Sequence, residues 1–520
     1  MRVASARWVA GVSATALGMT VMLPSAAATN PEWNNGSSQP GVEVVASGLN
    51  GPRELQIAPW GTFYVAESDA GQITEVAPWD GSVGPVYTGL PTPQGIDLTA
   101  RGGSWIVTAS AEPPEDSESP PPPPSAFPSA SLLYVDRWIG EIKVVADLEA
   151  YELVNNPDGQ RHFGDDGVPL DSVSNPFYVL TRPGGVLVAD GGANDVLSVS
   201  AAGEIRTLFV PPLVTTGACA GAVNNDPSHV GCDPVPTGLA WGPEGALYVS
   251  TLSAGVPGQG VVYKINPYDG EILSSIGGLN APVGVAVGDD GTVYVSEALY
   301  GLPEGEGPPP EGFDPASVGR IVSIDTNGNR AYAQVTMPTG LLFVDGELYA
   351  SAWALAGFFG MEDAGQVVKV HPKAFERHAS AALRDGSGLV VGFVKLTEDA
   401  TGTVTVKAEV EGLTPGLHGI HIHNTGSCTP PTFVDAGAHH NPLSAVHGGH
   451  AGDLPNLVVN PAGRGVMNTT TNAATLSPGP TTIFDANGSA VVVHALPDDL
   501  VTNPTGNSGG RVACGVLMTG

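Results

Sequence analysis

Basic side chains are scarce in this chain. Twenty Lys and Arg stand against 52 Asp and Glu, a net charge of −32 over 520 residues. A surface this acidic repels nucleic acid and anionic lipid, so neither is an expected partner. Long apolar runs are lacking too. Beyond the first residues nothing approaches the roughly 20 apolar residues that a spanning helix needs, so no membrane span is expected in the mature chain. Cysteine is limited to Cys219, Cys232, Cys428 and Cys514, and no Cys-x-x-Cys occurs, which argues against a thiol redox centre. Charged residues make up only 14 % of the chain, whereas Gly (70) and Pro (47) are abundant. That balance suits a loop-rich, all-β extracellular protein.

The termini and the cysteines agree with export. Met1-Arg-Val-Ala-Ser-Ala-Arg-Trp8 is a charged head, an apolar run reaches about Leu23, and Pro24-Ser-Ala-Ala-Ala-Thr29 is a small-residue exit. These are the three parts of a secretory signal peptide over residues 1–28, cut after Ala27 or Ala28. An even cysteine count in a secreted chain favours two disulfides. Three pairings are open, and nearness in sequence favours Cys219–Cys232.

Residues 45–370 repeat themselves. A proline is followed eight to ten residues later by glycine and an alternating strand. The copies run from Pro52 to Gly61-Thr-Phe-Tyr-Val-Ala-Glu67, from Pro93 to Gly103-Ser-Trp-Ile-Val-Thr108, and from Pro176 to Gly185-Val-Leu-Val-Ala-Asp190. Three more start at Pro236, Pro282 and Pro338, and second strands follow at Gly71–Val76, Gly319–Ile324 and Gly365–Val370. Period-2 alternation flanked by turn residues predicts strands, and repeats of about 40–60 residues with four short strands each predict a β-propeller. Six copies imply six blades, in a domain spanning 41–372.

Pro236-Thr-Gly-Leu-Ala240 and Pro282-Val-Gly-Val-Ala286 resemble the NHL and strictosidine-synthase-like propellers, most closely the secreted ScyD/ScyE-like family. That resemblance implies a fold more than a function. Some of those relatives hold calcium in the central channel. Here the positions two after each proline are Glu54, Gly95, Tyr178, Gly238, Gly284 and Gly340. Only Glu54 is a ligand type, so a channel metal enzyme is not expected. Two insertions stand out. Glu112–Pro128, with Pro120–Pro124 in a row, reads as a polyproline spacer. Asn155–Asp171 carries Asp158, Asp165, Asp166 and Asp171 near Asn175, oxygens of the kind that hold Ca²⁺, though in no EF-hand register. Gly301–Gly312, rich in Pro and Glu, is an exposed loop. The propeller's own ligand or protein partner is not legible.

A new strand pattern, Gly388-Leu-Val-Val-Gly-Phe-Val-Lys395, follows the last repeat and opens a second domain, 376–520. Eight of the chain's twelve histidines fall between His418 and His494. His421 and His423 stand at i, i+2, so on a strand both imidazoles leave the same face. His439, the turn His447-Gly-Gly-His450-Ala-Gly-Asp453 and the strand residue His494 complete the set. A merely solvated His-rich tract has no reason for such spacing. Imidazoles hold copper, which changes oxidation state, while three histidines and a carboxylate suit zinc, which does not.

These residues resemble the copper/zinc superoxide dismutases, over about 376–520. The resemblance implies a Greek-key β-sandwich and the conversion of superoxide to O₂ and H₂O₂. It makes His421, His423 and His494 copper ligands, His439 the bridge to zinc, and His447, His450 and Asp453 the remaining zinc ligands. Gly506-Asn-Ser-Gly-Gly-Arg-Val-Ala-Cys-Gly515 matches the family's C-terminal signature. It implies Arg511 as the active-site arginine and Cys428–Cys514 as the second disulfide. Asp498 matches the carboxylate linking a copper histidine to a zinc histidine. His418 and His440 match no ligand position. The zinc loop is short, the loop from His494 to Arg511 is trimmed and Thr429–Ala436 is extended, which bears on substrate steering rather than ligation. The expected protein is a secreted, wall- or matrix-associated superoxide dismutase with a propeller for attachment. Its rival is an extracellular binding protein whose dismutase-like domain only holds metal.

Overall fold

A computed structural model describes residues 41–109, 125–161, 163, 173–303, 313–399, 402–477 and 479–519. The signal segment 1–28 lies outside the described residues. So do Asp165, Asp166 and Asp171, and most of the 112–128 and 301–312 loops. The chain divides into two compact units, one made of residues up to 326 with 333–371, the other of 327–332 with 372–520. Among the described residues no helix is long and apolar enough to cross a membrane.

The first unit is a six-bladed propeller of four-stranded antiparallel sheets. Five innermost strands begin at the repeat prolines: Pro52–Ile57, Pro93–Leu98, Pro176–Arg182, Pro236–Trp241 and Pro282–Val287. The sixth, Leu341–Val344, starts three residues after Pro338. Proline suits the first residue of a strand, where no ladder donor is missed. The second strands, such as Phe63–Glu67 and Leu247–Thr251, are buried on both faces. Apolar residues from adjacent blades interlock there, as where Val107 and Leu132 of the second blade meet Val179 and Val188 of the third. The sixth blade takes its outer strand from the far end of the unit, since Val42–Leu49 pairs with Gly365–Val370. The ring therefore closes by hydrogen bonds between its first and last strands.

Side chains of the innermost strands link different blades. The Tyr178 hydroxyl of blade three reaches Leu341 O of blade six at 3.5 Å. Glu54 Oε2 accepts from the amides of Ile96 and Val179 at 2.9 and 3.3 Å. Burial, reinforced by nearby Asp97, pushes the Glu54 carboxyl well up, which favours its neutral form. The one ligand-type side chain at that level thus serves the packing of three blades.

The second unit is a single antiparallel sheet wrapped almost into a barrel. Its hydrogen-bonded order runs Gly416–His418, Leu457–Val459, Gly465–Thr471, Val404–Val410, Val390–Glu398, Arg377–Asp385, Arg511–Val516, Ala490–His494 and Ile420–His423. The first and last of these are joined in sequence by Gly419 alone, which brings the two ends together. The non-consecutive neighbours are those of a Greek key. Inward-facing Leu383, Leu396, Val406, Ile420, Ile422, Val491 and Val493 form the core. Burying each Leu, Ile or Val side chain contributes about 1.5–3 kcal/mol.

Candidate metal centre

Strand alternation sorts the histidines from the core. On Ile420–His423 the isoleucines enter the barrel core, so His421 and His423 leave by the other face. Across the ladder His421 faces Val492 and His423 faces Ala490, placing His494 on that same face two residues further on. The free edge of this strand is taken up by two loops. His440 N–H donates to Ile422 O at 2.8 Å, Ile422 N–H to Gly452 O at 2.9 Å, and Asn424 N–H to Ala438 O at 2.9 Å. Backbone pairing therefore fixes His439 and the His447–Asp453 turn beside the strand histidines.

Five of the six imidazoles, all but His450, are anchored through one ring nitrogen, and the anchor assigns the other. His423 Nδ1–H donates to Gly437 O at 3.0 Å, and His494 Nδ1–H to Gly509 O at 3.2 Å. Both Nε2 atoms are then bare acceptors, yet they face one another at 3.4 Å. His421 Nε2–H donates to Asp498 Oδ2 at 2.5 Å, leaving its buried Nδ1 without a protein partner. His439 Nδ1 lies 2.9 Å from Asp453 Oδ1, and its buried Nε2 has no partner. His447 Nε2–H meets Asp498 Oδ1 at 2.9 Å, and Nδ1 of both His447 and His450 is buried and unpaired. These Nδ1 atoms stand 3.5 and 3.3 Å from Asp453 Oδ1.

Orphaned acceptors thus converge in two sets. His421, His423, His439 and His494 form one, and His439, His447, His450 and Asp453 the other, with ligand atoms within 4.8 Å of one another in each. His439 belongs to both. The first set, four imidazoles, fits copper. The second, three imidazoles and a carboxylate, fits zinc.

The electrostatics keep these groups ready for a cation. Burial holds His423 at about 2. Burial, then His439 and His494, holds His421 at about 3, and burial holds His494 at about 4. All three are neutral at physiological pH, the form that binds metal. Burial alone would raise Asp453, but the His439 contact and the amides of His450 and Gly448 outweigh it and hold the carboxyl at about 2. Asp498 is likewise held low: hydrogen bonds from His447, the Leu500 amide and His421 overcome burial.

Arg511 begins the strand beside His494. Its Nη2 donates to Gly437 O at 2.5 Å and its Nη1 to Phe433 O. Gly437 O thereby receives both His423 and Arg511. Gly437 sits at φ +78°, and a Cβ there would lie 2.1 Å from Asn424 Oδ1, so only glycine allows that carbonyl its position. Gly506 is equally constrained, since its Cβ would fall 1.9 Å from Asp498 Oδ1.

His418 lies outside both sets, held between the carbonyls of His494 (2.7 Å) and Thr414 (2.8 Å), and buried His440 contacts Thr481 O at 3.3 Å. Cys428 and Cys514 are bonded across 86 residues, and Cys219 and Cys232 across 13. The backbone oxygens of Phe433, Gly437 and Gly509 carry part of this arrangement and leave no residue-type signal in a sequence.

A wrapped antiparallel barrel with two histidine sets sharing one member defines a dinuclear metalloprotein unit. The copper/zinc superoxide dismutase (SODC) family model matches residues 390–517. The chain is 41 % identical over 148 residues to the Superoxide dismutase (Cu-Zn) of Caulobacter vibrioides, covering 27 % of this chain and 84 % of that protein. It is 37 % identical over 157 residues to the superoxide dismutase-like protein YojM of Bacillus subtilis, covering 29 % and 79 % respectively. The crystal structure of a SOD-like protein from Bacillus subtilis shares 38 % identity, covering 27 % of this chain and 97 % of that one, with a TM-score of 0.25. Through its C-terminal unit the chain belongs to the copper/zinc superoxide dismutase family. Copper and zinc are the metals that membership implies, and the orphaned ring nitrogens fit them.

Proposed function

We propose that this is a secreted superoxide dismutase, converting superoxide to O₂ and H₂O₂ at a His439-bridged copper/zinc site, with the propeller serving binding or attachment. One observation carries the reading. Five of the six histidines hold one ring nitrogen against a carbonyl or carboxylate, and in each set every residue, His450 included, brings one ligand atom to within 4.8 Å of the others. Copper, cycling between two oxidation states, supplies the one-electron chemistry when bound. The protein's part is to hold, orient and attract. His421, His423 and His494 present neutral nitrogens, and His439 can hold a proton at Nε2 whenever that atom is released. Asp498 keeps His421 and His447 in fixed tautomers. Arg511 offers a permanent cation to a small oxyanion. The two disulfides agree with an oxidising compartment.

The test uses the full chain reconstituted with copper and zinc. Wild type should turn over superoxide, and Arg511→Glu should slow turnover at least about tenfold at low salt with metal content unchanged. His439→Ala should disturb both metals, whereas His450→Ala should mainly empty the zinc set. Full metal occupancy with negligible wild-type turnover would instead support the second reading, a propeller-based binding protein whose dismutase-like unit only holds metal. That reading has its own support: the loop 495–510 carries no Lys or Arg to guide an anion inward.

A further inference from the structure

The propeller contains a cluster of acidic side chains that its packing does not explain. Helix Leu148–Asn155 links blades two and three and is capped by Asn156. Glu152 on this helix is 3 % exposed, and Asp195, at the start of a blade-three strand, is 0 % exposed. Glu152 Oε2, Asp195 Oδ1 and Asn156 Oδ1 are all buried without a hydrogen-bond partner. All three are acceptors.

Several contacts link the elements that carry them. Asn156 caps the helix in the left-handed conformation, its amide donating to Glu152 O at 2.8 Å. Tyr151 Oη lies 3.0 Å from Thr207 Oγ1, which lies 3.5 Å from Asp195 Oδ2. Asn194 Nδ2 donates to Asp158 Oδ2 at 2.9 Å, tying the segment after the helix to the hairpin. Asp190 stands directly opposite Asp195 in that hairpin, with its own oxygens engaged by Ser174 and the amides of Asn175, Gly192 and Ala193. Glu152, Asp158, Asp190 and Asp195 act on one another electrostatically, and among the described residues no Lys or Arg is a principal influence on Glu152 or Asp195.

Buried like charges without a donor or a cation cost several kcal/mol unless something positive joins them. A proton can neutralise one carboxylate, but leaves the other buried acceptors without a donor. A hard divalent cation can join all three. We propose that Glu152, Asn156 and Asp195 form a Ca²⁺ site within the propeller, with Asp158 and Asp190 adding negative field around it. Two carboxylates and an amide oxygen are calcium ligand types, whereas Mg²⁺ demands a stricter octahedron and gives up water reluctantly. The site lies away from the propeller axis and uses no residue of the histidine sets.

The test uses the full chain loaded with copper and zinc, stripped of calcium with EGTA and then titrated with CaCl₂. One Ca²⁺ per chain should be retained in equilibrium dialysis, and the propeller's melting transition should rise with Ca²⁺ but little with Mg²⁺. Glu152→Gln and Asp195→Asn should each weaken Ca²⁺ binding about tenfold or more while superoxide turnover is kept. Should Asp195→Asn fail to fold, Glu152→Gln decides alone. Absence of Ca²⁺ uptake at millimolar concentration would overturn the site, as would uptake undiminished by Glu152→Gln. A Glu152→Gln protein that melts higher than wild type and ignores Ca²⁺ would show a held proton instead.

Discussion

Asp498 contributes more to this centre than its place outside both donor sets suggests. One carboxylate takes Nε2–H of His421 and Nε2–H of His447, so it fixes a nitrogen in each set at once. Asp498→Asn keeps the shape but sets an amide N–H against an imidazole N–H. Metal affinity should fall roughly 10–100-fold, the usual cost of losing such a partner. Competition with a chelator would measure it, and unchanged affinity for both metals would remove Asp498 from this role. Glu152 allows a test by pH. Burial, then Asp158, Asp190 and Glu149, push its carboxyl up to about 8. The folded chain then holds a proton that the unfolded chain has lost, so this contribution is complete below the ordinary carboxylate range and fades as pH rises toward 8. In EGTA the propeller transition should fall over that window, and Ca²⁺ should flatten the slope. A flat profile in EGTA would contradict the raised carboxyl.

At this scale the sequence was legible where chemistry restricts residue type. Only a few side chains ligate copper or zinc, so His421 to His494 and Asp453 stood out by identity and spacing. Arg511 and Asp498 were visible only through the family resemblance. The carbonyls of Gly437, Phe433 and Gly509 were hidden, because every residue has one.

At the scale of elements the six blades were readable because each rewrites the same proline, glycine and alternating strand. The closing strand was not. Val42–Leu49 has no copy of that signature, and its partner Gly365–Val370 lies more than 300 residues away. Its value is testable. Ala46 and Leu49 are buried, and removing Val42–Leu49 would also leave Gly365–Val370 as a bare edge. Losing that burial and its ladder should cost about 3 kcal/mol or more, lowering the propeller's melting point by roughly 5 °C or more. Calorimetry on the shortened chain would show it, and an unshifted transition would mean the ring does not depend on this closure. Helix Leu148–Asn155 was also missed: it is only eight residues long and ends where the acidic insertion begins.

For the molecule as a whole, the long cross-link is the most consequential constraint. Cys428–Cys514 closes a loop of 86 residues, for which chain entropy gives about 4–5 kcal/mol. That is a large share of the 5–15 kcal/mol that typically keeps a domain folded. Cys514→Ser should lower the melting of the histidine-bearing unit by roughly 10 °C or more and leave the propeller transition in place. Two separate calorimetric transitions, only one of them moving, are the expected record. Joint movement would mean the two units do not unfold separately. The acidity of the chain acts at this scale too: with −32 overall, the proposed attraction of superoxide would be confined to the few ångströms around Arg511 and the histidine sets.

The same cross-link ties chemistry to location. Phe433 and Gly437, whose carbonyls hold the guanidinium, follow closely after Cys428, and Cys514 lies three residues beyond Arg511 on the same strand. Oxidation therefore joins the arginine's cradle to the arginine's own strand. In the cytosol, where thiols stay reduced, a newly made chain would hold that cradle loosely even with every histidine in place. Closing this disulfide then becomes the last step in assembling the cradle, and the histidine centre would stay immature until the chain meets oxidising surroundings.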